Sequence, residues 1–116
     1  MSVICGADVV DSPNVESLAS SSVLVSWSSP RQHIGDVRLY VIQRRRVRED
    51  SASEPVDVTV RTTTPDDDLN QTYRHIDESS ALWPFTVYEY RVAVQTSAAA
   101  GLTYSDWSRV VTRPAS

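Results

Sequence analysis

The chain has 116 residues and a mass of 12.9 kDa, enough for one domain with a single core and too few for two. With 41% hydrophobic residues, 22% charged residues and a formal net charge of -4, the composition excludes collagen-like, coiled-coil and disordered classes and gives no general attraction to nucleic acid or anionic membranes. No apolar run approaches the roughly 18 residues of a membrane-spanning helix.

The opening M-S-V-I-C-G-A-D has neither the basic start nor the apolar stretch of a signal peptide. A secreted source would therefore make this chain a piece of a longer one. Residues 1–12 lack a clear strand pattern and are expected to form a linker before Pro13. Cys5 has no partner for an internal disulfide, and with His33 and His75 it has no zinc-ligand spacing. No cofactor or metal is expected. All 11 basic residues are arginine, which forks onto carboxylates and stacks on rings as lysine does not.

Period-two alternation dominates the rest and predicts an all-β chain. A short edge segment is expected near Val15 to Leu18. Val23, Val25 and Trp27 alternate with Leu24 and Ser26, and Ser-Ser-Pro stops the run at Pro30. Val37 to Val47 reads as a long strand, in which Tyr40 and Ile42 share one face and Leu39 and Val41 the other. Val56, Val58 and Val60 mark the next strand. After the acidic turn Asp66-Asp67-Asp68, T-Y-R-H-I gives a short one. Tyr88, Tyr90, Val92 and Val94 alternate with Glu89, Arg91, Ala93 and Gln95 in the clearest strand, and a final run lies around Trp107 to Thr112. That makes seven strands, as expected of a two-sheet sandwich of about 100 residues.

Immunoglobulin sandwiches carry a cysteine pair roughly where this chain has Val25 and Tyr90. Here packing must close the core. Trp27 and the run Leu82-Trp83-Pro84-Phe85-Thr86-Val87-Tyr88 resemble the fibronectin type III signature, in which Leu-x-Pro-x-Thr-x-Tyr crosses between the sheets. Tyr40, Ile42, Gly101, Ser105 and Trp107 also fall at positions of that pattern. The resemblance covers residues 13–114 and leaves 115–116 as the start of a further linker. It implies a seven-stranded, immunoglobulin-like β-sandwich of fibronectin type III topology. Trp27, Tyr40, Leu82, Pro84 and Tyr88 would be structural, with the Tyr88 ring in the core and its hydroxyl on an upstream backbone group. At finer grain, P-F-T-V-Y-E-Y-R-V and W-S-x-V-V-T resemble repeats of long cell-surface adhesion proteins.

Chemistry-bearing residues are few. There is no nucleophile with a base, no separated carboxylate pair and, with glycine only at Gly6, Gly35 and Gly101, no phosphate-cradling loop. Arg44, Arg45, Arg46 and Arg48 offer weak binding to sulfated glycans, although alternation divides them between two faces. Asn70-Gln71-Thr72 is a sequon for N-glycosylation in a polar loop. The integrin triplet Arg-Gly-Asp is absent from the loop before Tyr104. Tyr104-Ser105-Asp106-Trp107-Ser108 resembles the Trp-Ser-x-Trp-Ser box of cytokine receptors, with tyrosine in place of the first tryptophan; the resemblance implies that Trp107 stacks on Arg91.

The expectation is a non-enzymatic extracellular module of a multi-domain protein, acting as a spacer and protein-interaction unit for neighbouring domains and another cell-surface or matrix protein. Its binding face would hold Leu39, Val41, Arg91, Tyr104 and Trp107. The alternative is a ligand-binding module of cytokine-receptor type.

Overall fold

The computed structural model describes residues 10–30, 35–49, 51–63, 71–97 and 101–115. Among them run nine strands: β1 (Asn14–Ala19), β2 (Ser22–Ser28), β3 (Val37–Arg48), β4 (Ser51–Ala52), β5 (Val56–Thr62), β6 (Thr72–Glu78), β7 (Val87–Thr96), β8 (Thr103–Tyr104) and β9 (Ser108–Val111). The seven runs legible in the sequence are all present. The two additions, β4 and β8, are two residues long, too short to show alternation.

Pairing sorts the strands into two sheets. The smaller has the order β1-β2-β6. In the larger, β3 pairs with β7 on one side and with β4 and β5 on the other, while β7 carries β8 and β9 on its far side. The described pairs are antiparallel, so each sheet has one face for the core and one for solvent. Beside β1 the sandwich is closed by Ser108 Oγ donating to the Pro13 carbonyl at 2.5 Å and the Arg113 N–H donating to Ser17 Oγ at 3.0 Å.

Alternation is transcribed directly into burial. Val23, Val25 and Trp27 of β2 face Tyr40 and Ile42 of β3, Tyr73 of β6, Tyr88, Tyr90, Val92 and Val94 of β7, and Val110 of β9 in one cluster. Val25 and Tyr90 are fully buried, and each buried side chain of this size contributes about 1.5–3 kcal/mol. Trp27, Tyr40 and Tyr73 pack with ring centroids 4.9 to 6.1 Å apart. Val10, inside the segment read as linker, packs against this core, because its apolar side chain gains the same burial.

At the crossover from β6 to β7, the Tyr88 hydroxyl accepts the Trp83 N–H at 2.7 Å and donates to the Ala81 carbonyl at 3.3 Å. Leu82 is buried beneath it. Pro84 lies in the turn, and its carbonyl accepts the Thr86 hydroxyl at 2.8 Å.

Candidate interaction face on the larger sheet

In the register of β3 with β7, Leu39 lies opposite Gln95, Val41 opposite Ala93, Gln43 opposite Arg91 and Arg45 opposite Glu89. Since Tyr40 and Ile42 belong to the core, these residues occupy the outer face. The alternation therefore runs as the sequence reading has it, but the face is not bare. Val41 is 7% exposed and Ala93 fully buried, and Leu39 is half-buried.

The covering is a polar and aromatic ladder. The Arg91 guanidinium lies 4.0 Å from the Tyr104 ring centroid and 4.5 Å from that of Trp107. The Arg45 guanidinium lies 4.0 Å from the same indole. Each cation is held in place: Arg91 Nε donates to Gln43 Oε1 at 2.8 Å, Gln43 Nε2 donates to Asp57 Oδ1 at 2.9 Å, and Arg45 donates to Glu89 Oε1 at 2.8 Å. Arg109 adds a looser contact to Glu89 at 3.3 Å. Ser105 fixes the segment between the two rings, from the end of β8 at Tyr104 to Trp107 just before β9, because its N–H donates to the Val92 carbonyl at 2.8 Å and its hydroxyl accepts the Val92 N–H at 2.9 Å.

The five residues of the expected binding face thus fall on one surface, with Arg91, Trp107 and Tyr104 in direct contact. Tyr104, at 46% exposure, is the most open aromatic of the ladder. Arg45, Gln43, Asp57 and Glu89 were missed. Arg45 carried a signal, since it shares the strand face of Val41, but its partner depends on the register with β7.

The arginine quartet divides as alternation requires. Arg44 turns inward, where its Nη1 donates to Asp77 Oδ2 at 2.7 Å, and the Tyr90 hydroxyl donates to the same oxygen at 2.7 Å. This clasp ties β3 and β7 to β6 across the sandwich. Burial, reinforced by the Asp77 carboxylate, pushes the Tyr90 phenol well above its ordinary range. Arg46 lies against Trp83, 4.9 Å from the ring centroid, and Arg48 is exposed. His75 sits half-buried on β6. Cys5, His33, Asp66, Asp67, Asp68 and Asn70 lie outside the described residues. Among the described residues, no group of three His, Cys, Asp or Glu side chains is arranged to hold a metal.

The family profile of the fibronectin type III domain matches residues 9–111. The chain belongs to the fibronectin type III family. Over 105 residues, 90% of the chain, this domain is 36% identical to human usherin and 32% identical to rat usherin, and it spans about 2% of the length of each. Usherin repeats are also what the Pro84–Val92 run and the Trp107–Thr112 ending resemble. Among solved structures, the sixth fibronectin type III domain of human fibronectin type III domain containing protein 3 superposes with a TM-score of 0.66 at 24% identity, covering 99% of this chain and 93% of the other. The domain of human contactin 1 gives 0.60 at 24% identity, with coverage of 100% and 91%. These two likenesses establish the fold.

Proposed function

We propose that this fibronectin type III domain is a non-catalytic, extracellular spacer and protein-interaction module of a multi-domain cell-surface or matrix protein. The observation that carries the reading is the ladder on the outer face. It converts a sheet surface into a braced, internally satisfied plate that leaves Tyr104 and the half-buried Leu39 open to a partner, an arrangement suited to recognition rather than to bond chemistry. Usherin, in which the matching segment is about 2% of the chain, supports a place among many other units.

Sulfated-glycan binding is a secondary feature of the proposal. Arg44 and Arg45 are committed to Asp77 and Glu89, so it would rest on Arg48 and Arg46. Asn70 is proposed as the glycan acceptor. A second reading, a ligand-binding module of cytokine-receptor type, is favoured by the contacts of Tyr104, Arg91, Trp107 and Arg45. Ligand binding that survives loss of Tyr104 and is abolished by changes in the pole loops would select it.

The test uses cells expressing the full-length parent protein. An antibody to this module is expected to label intact cells, and Tyr104→Ala to reduce retention of the parent ectodomain on cells or matrix while the module still unfolds cooperatively, with at most the small loss of stability that the ladder contact accounts for. Labelling only after permeabilisation would overturn the extracellular reading.

A further inference from the structure

Both sheets end in an edge strand on the same side of the sandwich. Among the described residues, β5 pairs only with β3 and β6 only with β2, and the two edges line a cleft of about 320 Å³. Alternation builds its walls. Tyr40 and Ile42 face the core, so their partners Arg61 and Thr59 on β5 also point between the sheets. On β6, Tyr73 is buried and His75 follows on the same face. The two edges differ in regularity. The β5 pairing carries a register shift at Ile42/Gln43, an irregularity that blunts an edge. The β6 pairing runs from Thr72 to Glu78 without one, so from Arg74 onward β6 offers the cleft a regular strand to pair with.

The charges along the cleft are uneven. At one end, the Arg61 guanidinium lies 4.7 Å from the Tyr73 ring centroid, and Tyr73 stacks on Trp27 with centroids 5.7 Å apart. A guanidinium held by its face keeps its N–H edge for a planar acceptor. Arg74 lines the same end. Unlike Arg44, Arg45 and Arg109, neither Arg61 nor Arg74 has a carboxylate partner among the described residues. The wall also holds an unsatisfied donor, since Trp27 lines the cleft and its Nε1–H is buried without an acceptor. Past His75 the same side of the sandwich continues to Asp77 and Glu78, where the charge is negative.

We propose that this cleft takes an extended, acidic peptide segment of a partner protein, added as a strand beside β6 with a carboxylate on Arg61 and Arg74. Charge complementarity selects the occupant. In a chain of net charge -4, two arginines without carboxylate partners share one cleft, and the two oxygens of a carboxylate match a guanidinium fork. Strand addition supplies main-chain hydrogen bonds and places alternate side chains on opposite faces. An inward carboxylate meets Arg61, while the residues between lie beside Ile76, 46% exposed on the outer face of β6. Because Asp77 and Glu78 close the far end, the acidic residue of the peptide belongs at the Arg74 end and uncharged residues beyond it. A sulfated glycan would meet the arginines but leave the strand edge unused.

The experiment titrates the isotope-labelled chain with a short capped peptide of alternating valine and threonine that carries one glutamate, followed by NMR. Backbone amide signals of β6 from Arg74 to Glu78 should shift, and so should the Trp27 indole N–H, assigned as the one that survives Trp83→Ser and Trp107→Phe. A peptide with glutamine in place of glutamate should bind about tenfold more weakly, as should the original peptide to Arg61→Gln and to Arg74→Gln. Methylating alternate backbone amides of the peptide should abolish binding. Arg74 is exposed, so Arg74→Gln should leave the melting temperature nearly unchanged and separate lost binding from lost folding. Equal affinity of the glutamate and glutamine peptides, or full affinity for Arg74→Gln, would overturn the carboxylate site. Undiminished binding of the methylated peptide would overturn strand addition, and no shift at roughly millimolar peptide would overturn the whole. A heparin oligosaccharide that moves the same signals more tightly than the peptide, and fails on Arg74→Gln, would give the arginines to a sulfated glycan instead. Each of these failures would leave the reading of the outer ladder intact, because Tyr104 is not part of this cleft.

Discussion

Arg44 and Arg45 are neighbours in β3, yet they sit in opposite worlds. Arg44 points between the sheets, with Asp77 and Tyr90 as partners and little water around any of them. Arg45 points outward, against Trp107 and Glu89, with more of its side chain in solvent. A single step along a strand changes the face, and with it the effective dielectric and the cost of losing a partner. Inside, removing one member strands the others in an apolar place; outside, water replaces what is lost. The same residue type therefore closes the sandwich at one position and stiffens its surface at the next.

The largest effect expected from this contrast is at Asp77. Asp77→Ala leaves the Arg44 charge buried and the Tyr90 hydroxyl without its acceptor, and should destabilise by about 3–5 kcal/mol, read from urea midpoints. A loss no greater than that of an exposed carboxylate would place the clasp in solvent and erase the difference between the two arginines. Tyr90→Phe is milder. It should cost about 1–3 kcal/mol, because Asp77 keeps Arg44.

Tyr90 also gives the clasp a signature in pH. Burial holds its phenol protonated in the folded state well above the unfolded value of 10.0. Above that pH the unfolded chain releases a proton that the folded chain retains, so stability is fully present below pH 10 and falls as pH rises beyond it. The stability difference between the unchanged chain and Tyr90→Phe should shrink in that alkaline range and stay constant below it. No such change would mean that the phenol is not desolvated.

Tyr88 tests a third environment, buried but bonded to backbone rather than to charge. Tyr88→Phe removes the acceptor of the Trp83 N–H and the donor to Ala81, with an expected cost of about 1–3 kcal/mol and the ring packing retained. Coincident urea midpoints would show that water satisfies the turn.

What the sequence disclosed follows the same division. Alternation exposed the long strands and the core, and the splitting of Arg44 to Arg48 between faces, because strand period and burial are local. The clasp was hidden. In T-Y-R-H-I-D-E the residue Asp77 looks like a solvated strand end, and only the pairing of β6 with β2, which sets Asp77 opposite Val23, carries it inward. The contact of Arg91 with Trp107 was legible through a familiar box, while Arg45 and Glu89 needed the register of β3 with β7. The openness of Trp83 and Phe85 was illegible for another reason: composition marks aromatics for the core, and only the course of the crossover leaves these two outside.

The smallest effect should come from the ladder, and its size decides whether the outer face is a brace or an ornament. Arg91→Lys keeps the positive charge but loses the planar group that lies against Tyr104 and Trp107 and the Nε–H that donates to Gln43. A lysine ammonium is compact and strongly hydrated, so it replaces neither geometry. Partial exposure and screening keep the cost at about 0.5–2 kcal/mol, below that of Asp77→Ala. The two losses should also differ in salt dependence. The outer contacts lie at the surface and weaken as ionic strength rises, whereas the Arg44–Asp77 pair is shielded from the ions. Repeating both substitutions at high salt should reduce the Arg91→Lys difference and leave the Asp77→Ala difference unchanged. If Arg91→Lys costs as much as Asp77→Ala and is equally insensitive to salt, the outer ladder is as desolvated as the core clasp, and the two faces of β3 do not differ in the way their burial indicates.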